Sequence, residues 1–216
     1  MRKNILSAFT LAEVLIVVAV IGVIAMLTVP KVMKNYRNRV YSAQIRKVYS
    51  QVSDAIQSAM SDEHLSNFYE TKVGKANVCS STDSDDCTQG ARYFLNKYFV
   101  SINKNCQTGT DKCIADTYTT LSGATVAAFS PDYCIRLKTG QAICMEYNAT
   151  DKKTYIYADT NSRDLPNMSG KDLFYMQVEE YGTLSDYKDT SADDCGKNNP
   201  AGCLNKIIDN GWKMEY

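Results

Sequence analysis

Hydrophobic and polar positions divide the chain into three regions. From Phe9 to Val29 nearly every residue is apolar, and the one charge in that run is Glu13 near its start. About 20 such residues form a helix roughly 30 Å long, enough to cross the hydrocarbon core of a bilayer. Beyond Pro30 the pattern changes without stopping. Val32, Met33, Tyr36, Val40, Tyr41, Ile45, Val48, Tyr49, Val52, Ile56, Ala59 and Met60 recur at steps of three and four, while Lys34, Arg37, Asn38, Arg46, Lys47 and Asp54 hold the other face. That is a helical stripe. The pattern predicts one helix from Phe9 to about Met60, roughly 75 Å long, apolar all round in its first half and amphipathic in its second. A coiled coil gives the same stripe. Gly22 and Pro30 are its expected flexible points, because proline removes a backbone hydrogen bond.

After residue 60 the periods shorten. Ser61 to about Gly90 is polar with little periodicity, and Gly90–Val100 reads as a short amphipathic helix. Thr125–Phe129, Lys153–Ala158 and Leu173–Val178 read as strands. Cys134-Ile-Arg-Leu-Lys-Thr-Gly-Gln-Ala-Ile-Cys144 reads as a hairpin. If Lys138-Thr139-Gly140 is a three-residue loop with Gly140 left-handed, Ile135 faces Ile143 and Cys134 faces Cys144 at bridging distance. Short connections favour an antiparallel meander laid across the amphipathic half of the long helix. Ser185–Asp194 is expected to be an acidic loop. Leu204–Asn210 reads as a short helix capped by Gly211, with Trp212 as an anchor. The expected class is therefore α+β, a long N-terminal helix on a small antiparallel sheet with stapled loops.

The cysteines set the compartment. All eight follow residue 78, as four close pairs: Cys79 with Cys87, Cys106 with Cys113, Cys134 with Cys144, Cys195 with Cys203. An even number clustered in one region implies disulfides and an oxidising environment, although eight cysteines allow 105 connectivities. Each neighbour loop would contribute about 2.5 kcal/mol in the chain-entropy model. Zinc is disfavoured by the absence of Cys-x-x-Cys and by long, acidic spacers.

Formal charge sums to zero but is unevenly spread. Residues 9–60 carry six basic residues (Lys31, Lys34, Arg37, Arg39, Arg46, Lys47) against Glu13 and Asp54, whereas residues 61–216 carry sixteen basic against twenty-two acidic. A basic stem meeting an acidic head suits packing between copies. Basic residues just past Pro30 equally suit lipid headgroups. Four basic residues follow the apolar run and two precede it, which by the positive-inside count would leave the C-terminal region in the cytoplasm. The cysteines point the other way, and long domains translocate largely regardless of charge.

A carboxylate in a membrane helix costs about 2.5–3.5 kcal/mol at mid-bilayer on insertion scales, so Glu13 needs a purpose or a refuge. A place in the first helical turn gives it the refuge. The purpose comes from the motif around it. Ala8-Phe9-Thr10-Leu11-Ala12-Glu13-Val14-Leu15 resembles the processing site of type IV prepilins and type II secretion pseudopilins. The resemblance spans about the first 55 residues and includes Pro30. It implies a leader, residues 1–8 with Arg2 and Lys3, cut from Phe9 by a prepilin peptidase. It also implies N-methylation of Phe9, a transmembrane and assembly helix over 9–60, and a globular pilin head over 61–216. Ala8 departs from the glycine usual before the cut, yet is small enough for a tight protease subsite.

The resemblance implies a pilin-like fold and a role as structural subunit of a pilus or pseudopilus. In such a filament Glu13 meets the Phe9 amine of a neighbouring copy, so that Glu13, Phe9 and Pro30 act in assembly. Implied partners are other pilin subunits, the peptidase, an inner-membrane assembly platform and membrane lipid. The implied location is a single pass through the bacterial inner membrane with the head outside the cytoplasm, then a periplasmic or cell-surface filament serving adhesion, motility, DNA uptake or secretion. Two other readings stay open. Val23-Ile24-Ala25 before Met26 could be a signal-peptidase site, or the chain could be a membrane-anchored binding module that never polymerises.

Little else in the chain carries chemistry. His64 is the single histidine and reads as a surface residue. No nucleophile elbow, phosphate loop or histidine metal motif is present, so the chain is not expected to be an enzyme. No basic-aromatic patch suggests nucleic acid. Asp159, Asn161 and Asp164, with Asp172 beyond, supply clustered oxygens that calcium favours, and major pseudopilins resemble this in holding calcium near the C-terminus. The spacing fits no defined calcium loop, and an Asx-rich turn explains the same residues. No cofactor is otherwise expected.

Overall fold

In the computed structural model of the protein, described over residues 10–80, 86–126, 129–197 and 200–216, one helix dominates. Helix α1 runs from Leu11 to Asp62, 52 residues, and continues through both Gly22 and Pro30. Thr10 starts it with a capping box, its side chain and that of Glu13 each bonding the other's backbone N–H. From Leu11 to Met33 its large apolar side chains are exposed, whereas Ile45, Val48, Val52, Ile56 and Ala59 on one face are fully buried. The two halves expected from the pattern are thus physically distinct. The first is long and apolar enough to cross a membrane, and none of its most apolar stretch is buried. The second is a wall of the core.

The head is an antiparallel meander whose spatial order equals its chain order. Its strands are β3 (Ser101–Lys104), β4 (Tyr133–Leu137), β5 (Ala142–Asn148), β6 (Lys153–Asp159), β7 (Leu173–Val178) and β8 (Leu184–Asp186), and a separate ribbon pairs β1 (Val78–Cys79) with β2 (Cys87–Gln89). Helix α2 (Gly90–Tyr98) and helix α3 (Cys203–Asp209) flank the meander. Alternation sends Ile135, Ile143, Met145, Ile156, Ala158, Phe174 and Met176 to the side of α1. It sends Cys134, Cys144, Tyr155, Tyr157 and Tyr175 to the other side, where Cys106, Cys113, Ile114, Tyr118 and Val126 cover them. Both faces are buried, which is why β7 is buried along its whole length.

The β4–β5 hairpin has the expected register. Cys134 lies opposite Cys144 and Ile135 opposite Ile143, with Leu137 N–H donating to the Gln141 carbonyl at 2.8 Å and Gly140 at φ 95°. A left-handed residue closes that three-residue loop, and glycine takes the conformation without a Cβ clash. All four neighbour disulfides form: Cys79–Cys87, Cys106–Cys113, Cys134–Cys144 and Cys195–Cys203.

Two expectations are corrected. The 125–129 stretch is not a sheet strand. Thr125 makes an isolated bridge to Thr119, and Val126 N–H bonds the Tyr118 carbonyl, so this segment closes on its own loop. The strand beside β4 is instead β3, and residues 127 and 128 lie outside the described residues. The 185–194 stretch is not wholly a loop, because Leu184–Asp186 forms the last strand against β7. Helix α3 begins at Cys203 and Gly211 follows it as expected.

Candidate functional site

The residues singled out by their chemistry fall along α1 and in one loop of the head. Ala8 and Phe9 lie outside the described residues. Glu13 sits in the first turn of α1, its carboxylate bent back on the helix end. Its Oε2 accepts from the Thr10 N–H and from the Thr10 hydroxyl, each at 2.8 Å, while its own N–H donates to Thr10 Oγ1 at 3.3 Å. None of the four ion pairs among the described residues involves it. Among the described residues the charge is hydrogen-bonded and has no ion-pair partner. Pro30 lies well inside α1, on the exposed apolar stretch between Leu27 and Val32.

Beyond Pro30 the basic residues form a collar. Lys31, Lys34, Arg37, Arg39, Arg46 and Lys47 are absent from those ion pairs as well. Arg39, Arg46 and Lys47 line a groove of about 910 Å³ between α1 and the segment 211–215, with Lys213 on the opposite wall. That segment is fixed to the helix. Asn38 Nδ2 donates to the Met214 carbonyl at 3.1 Å, Ser42 Oγ donates to the Trp212 carbonyl, and the Trp212 ring meets Tyr49 edge-on at 5.3 Å. Trp212 is the anchor its position suggested.

In the β6–β7 loop the structure brings Asp159 and Asp172 into the interior and leaves Asp164 exposed. Asp159 accepts the Tyr118 hydroxyl at 2.6 Å and the Asn161 N–H at 3.0 Å. Asp172 accepts the Asn167 and Met168 N–H groups at 2.7 and 2.6 Å. Asn161 Nδ2 spans the loop to the carbonyls of Asp164 and Leu165, and Arg163 reaches the Thr110 carbonyl. Burial pushes Asp159 well above the usual carboxylate range, opposed by the Tyr118 hydrogen bond and helped by the nearby Asp172 charge. Asp172 is likewise raised, first by burial. Thr160 Oγ1, Asn161 Oδ1 and Asn167 Oδ1 are buried acceptors without a protein partner. Among the described residues no three His, Cys, Asp or Glu side chains converge as a metal centre. The four residues suited to calcium thus divide, with two carboxylates occupied in tying the loop and one pointing away. His64 is exposed, in a left-handed turn after α1.

No family model, curated protein or solved structure matches the chain. Function therefore rests on the geometry above.

Sequence reasoning missed Asp186. Its carboxylate is buried and accepts the N–H groups of Gly202, Asn205 and Tyr187 at 2.8, 3.0 and 2.9 Å, so it caps α3 from β8. Burial raises its pKa. One more Asp in an acidic stretch gave no signal of that role.

Proposed function

We propose that the chain is a pilin-like structural subunit, a component of a type IV pilus or a type II secretion pseudopilus. One observation carries the reading. A single 52-residue helix presents an apolar cylinder around Glu13 over its first half, and gives its second half to a disulfide-stapled head. A helix that only anchored a domain would use a carboxylate four positions after the expected cut for nothing beyond its capping box. A helix that must bundle with its own kind would use it for registry.

Cleavage between Ala8 and Phe9 would create an ammonium beside Thr10 and Glu13. Among the described residues the capping box gives Glu13 hydrogen bonds and no ion pair, and within one subunit the new ammonium would neutralise it only loosely. Inside a bundle of such helices the N-terminal ammonium of a neighbour supplies the counter-charge. An unpaired buried charge costs several kcal/mol, so subunits out of register are excluded. The apolar stem, the collar at Lys31–Arg39 and the head then occupy lipid, headgroups and the extracytoplasmic space. No catalytic or cofactor role is part of this reading.

The experiment compares sheared surface fractions from cells making the native chain and Glu13→Ala. Filaments containing the native chain, and membrane-inserted but unassembled Glu13→Ala, are expected. Normal filaments from Glu13→Ala would remove the registry role. Native chain held in the membrane and absent from every sheared fraction would leave an anchored, non-polymerising module.

A further inference from the structure

The turn joining β5 to β6 carries Asn148-Ala149-Thr150. Asn-x-Ser/Thr is the acceptor motif for transfer of a glycan to an asparagine amide on exported proteins. The chain has two such triplets, the other being Asn167-Met168-Ser169. A triplet alone arises easily by chance, so geometry and context must separate them.

Asn148 ends β5 opposite Lys153, and residues 149–152 are exposed around the turn. The Asn148 Oδ1 accepts the Thr150 N–H at 2.9 Å. That bond uses the carbonyl end of the carboxamide. Among the described residues, no hydrogen bond holds Asn148 Nδ2 or the Thr150 hydroxyl, so the nitrogen and hydroxyl that a transferase must engage are both open. The turn also lies far from the apolar stem. Tyr69, just past the end of α1, accepts the Thr154 N–H at 3.3 Å and donates to the Val178 carbonyl, which places this end of the sheet beside the far end of the helix.

The second triplet is closed. Ser169 is 2% exposed and its hydroxyl donates to the Pro200 carbonyl. Asn167 Nδ2 donates to the Arg163 carbonyl at 3.3 Å, and its backbone N–H is held by Asp172. Reaching it would mean opening the β6–β7 loop.

The geometry points to Asn148 as a site of N-linked glycosylation on the exported head, the donor being an oligosaccharide carried on a polyprenyl pyrophosphate. Asn148 Nδ2 attacks the anomeric carbon of the donor. The new N–C bond forms as the bond from that carbon to the phosphate oxygen breaks. The lipid pyrophosphate leaves with the electron pair, and the amide proton passes to a base of the transferase. The inference rests on the reading that residues 61–216 lie outside the cytoplasm.

The test is non-reducing intact mass and peptide mapping of the full chain from its native host. A saccharide increment is expected on the peptide containing Asn148. It should vanish in Asn148→Gln and Thr150→Ala, and persist in Thr150→Ser and Asn167→Gln. An unmodified Asn148 in a chain whose four disulfides are intact would overturn this inference alone. An increment confined to Asn167 would overturn it too. Free thiols together with an unmodified Asn148 would overturn it along with the exported location on which it rests.

Discussion

Ile56→Ala tests the division of labour within α1. Ile56 is 0% exposed and packs under the β7–β8 turn, where a Cβ built on Gly182 would approach its Cγ2 to 3.0 Å. Truncating a fully buried isoleucine removes its transfer free energy and leaves a cavity, at a cost of about 2–5 kcal/mol. For a domain of this size each kcal/mol lowers Tm by about 2–4 °C, so a mid-range loss shifts the midpoint by roughly 7–14 °C. The control is Ile24→Ala, 55% exposed on the same helix. It should change head stability by less than about 0.5 kcal/mol. Trp212, the single tryptophan, reports the event directly because its ring rests on Tyr49 of α1. Urea unfolding of the full chain in detergent, followed by Trp212 fluorescence, compares the two variants at equal m-value. Equal destabilisation by both, or less than about 1 kcal/mol from Ile56→Ala, would refute the claim that only the second half of the helix belongs to the core.

Other perturbations probe the head. Replacing Cys134 and Cys144 together by alanine removes a staple between paired strands, and a loss of about 2.5–3 kcal/mol is expected from chain entropy. An unchanged urea midpoint would show that the strands hold without it. Gly182→Ala puts a Cβ 2.5 Å from Met60 Sδ at φ 75°, so roughly 1–3 kcal/mol of destabilisation is expected by the same assay. Asp159 has a folded pKa raised above its ordinary 3.8, so it binds its proton more tightly in the folded state. Its contribution to stability is therefore full below about pH 3.8 and is lost as pH rises through the folded pKa. Relative to Asp159→Asn, the native chain should lose stability over that rise, and a constant difference between them would contradict the burial argument. Millimolar calcium is expected to leave the unfolding midpoint unchanged, since the Asp159 and Asp172 oxygens already accept hydrogen bonds within the loop. A calorimetric binding heat abolished in Asp172→Asn would instead place the ion there.

The parts of the fold that could be read from the sequence are those whose cause is local. The switch from unbroken apolar residues to a stripe at steps of three and four places the core face of α1 at Ile45, Val48, Val52 and Ile56 without further help. Loop length and one glycine fix the register of Cys134 on Cys144. The misses are contacts that join distant segments. β3 is four residues with one apolar side chain, and it is a strand only because β4 offers a partner. β-branched residues make 125–129 look like a strand, yet Thr125 and Val126 pair across a short loop to Thr119 and Tyr118. Tyr118 meets Asp159 from 41 residues away. No periodicity encodes that pairing, and it turns a row of calcium-like oxygens into a loop tie. The chemistry of the chain's start was legible only as a motif, with Ala8 and Phe9 outside the described residues.

The proposed assembly depends on removal of residues 1–8 to expose the Phe9 amine four residues before Glu13. N-terminal sequencing with intact mass of the mature chain from its native host tests it directly. A start at Phe9 carrying a methyl group on its nitrogen is expected. A start at Met26 would describe a secreted domain that has shed Glu13. An intact Met1 would contradict processing altogether.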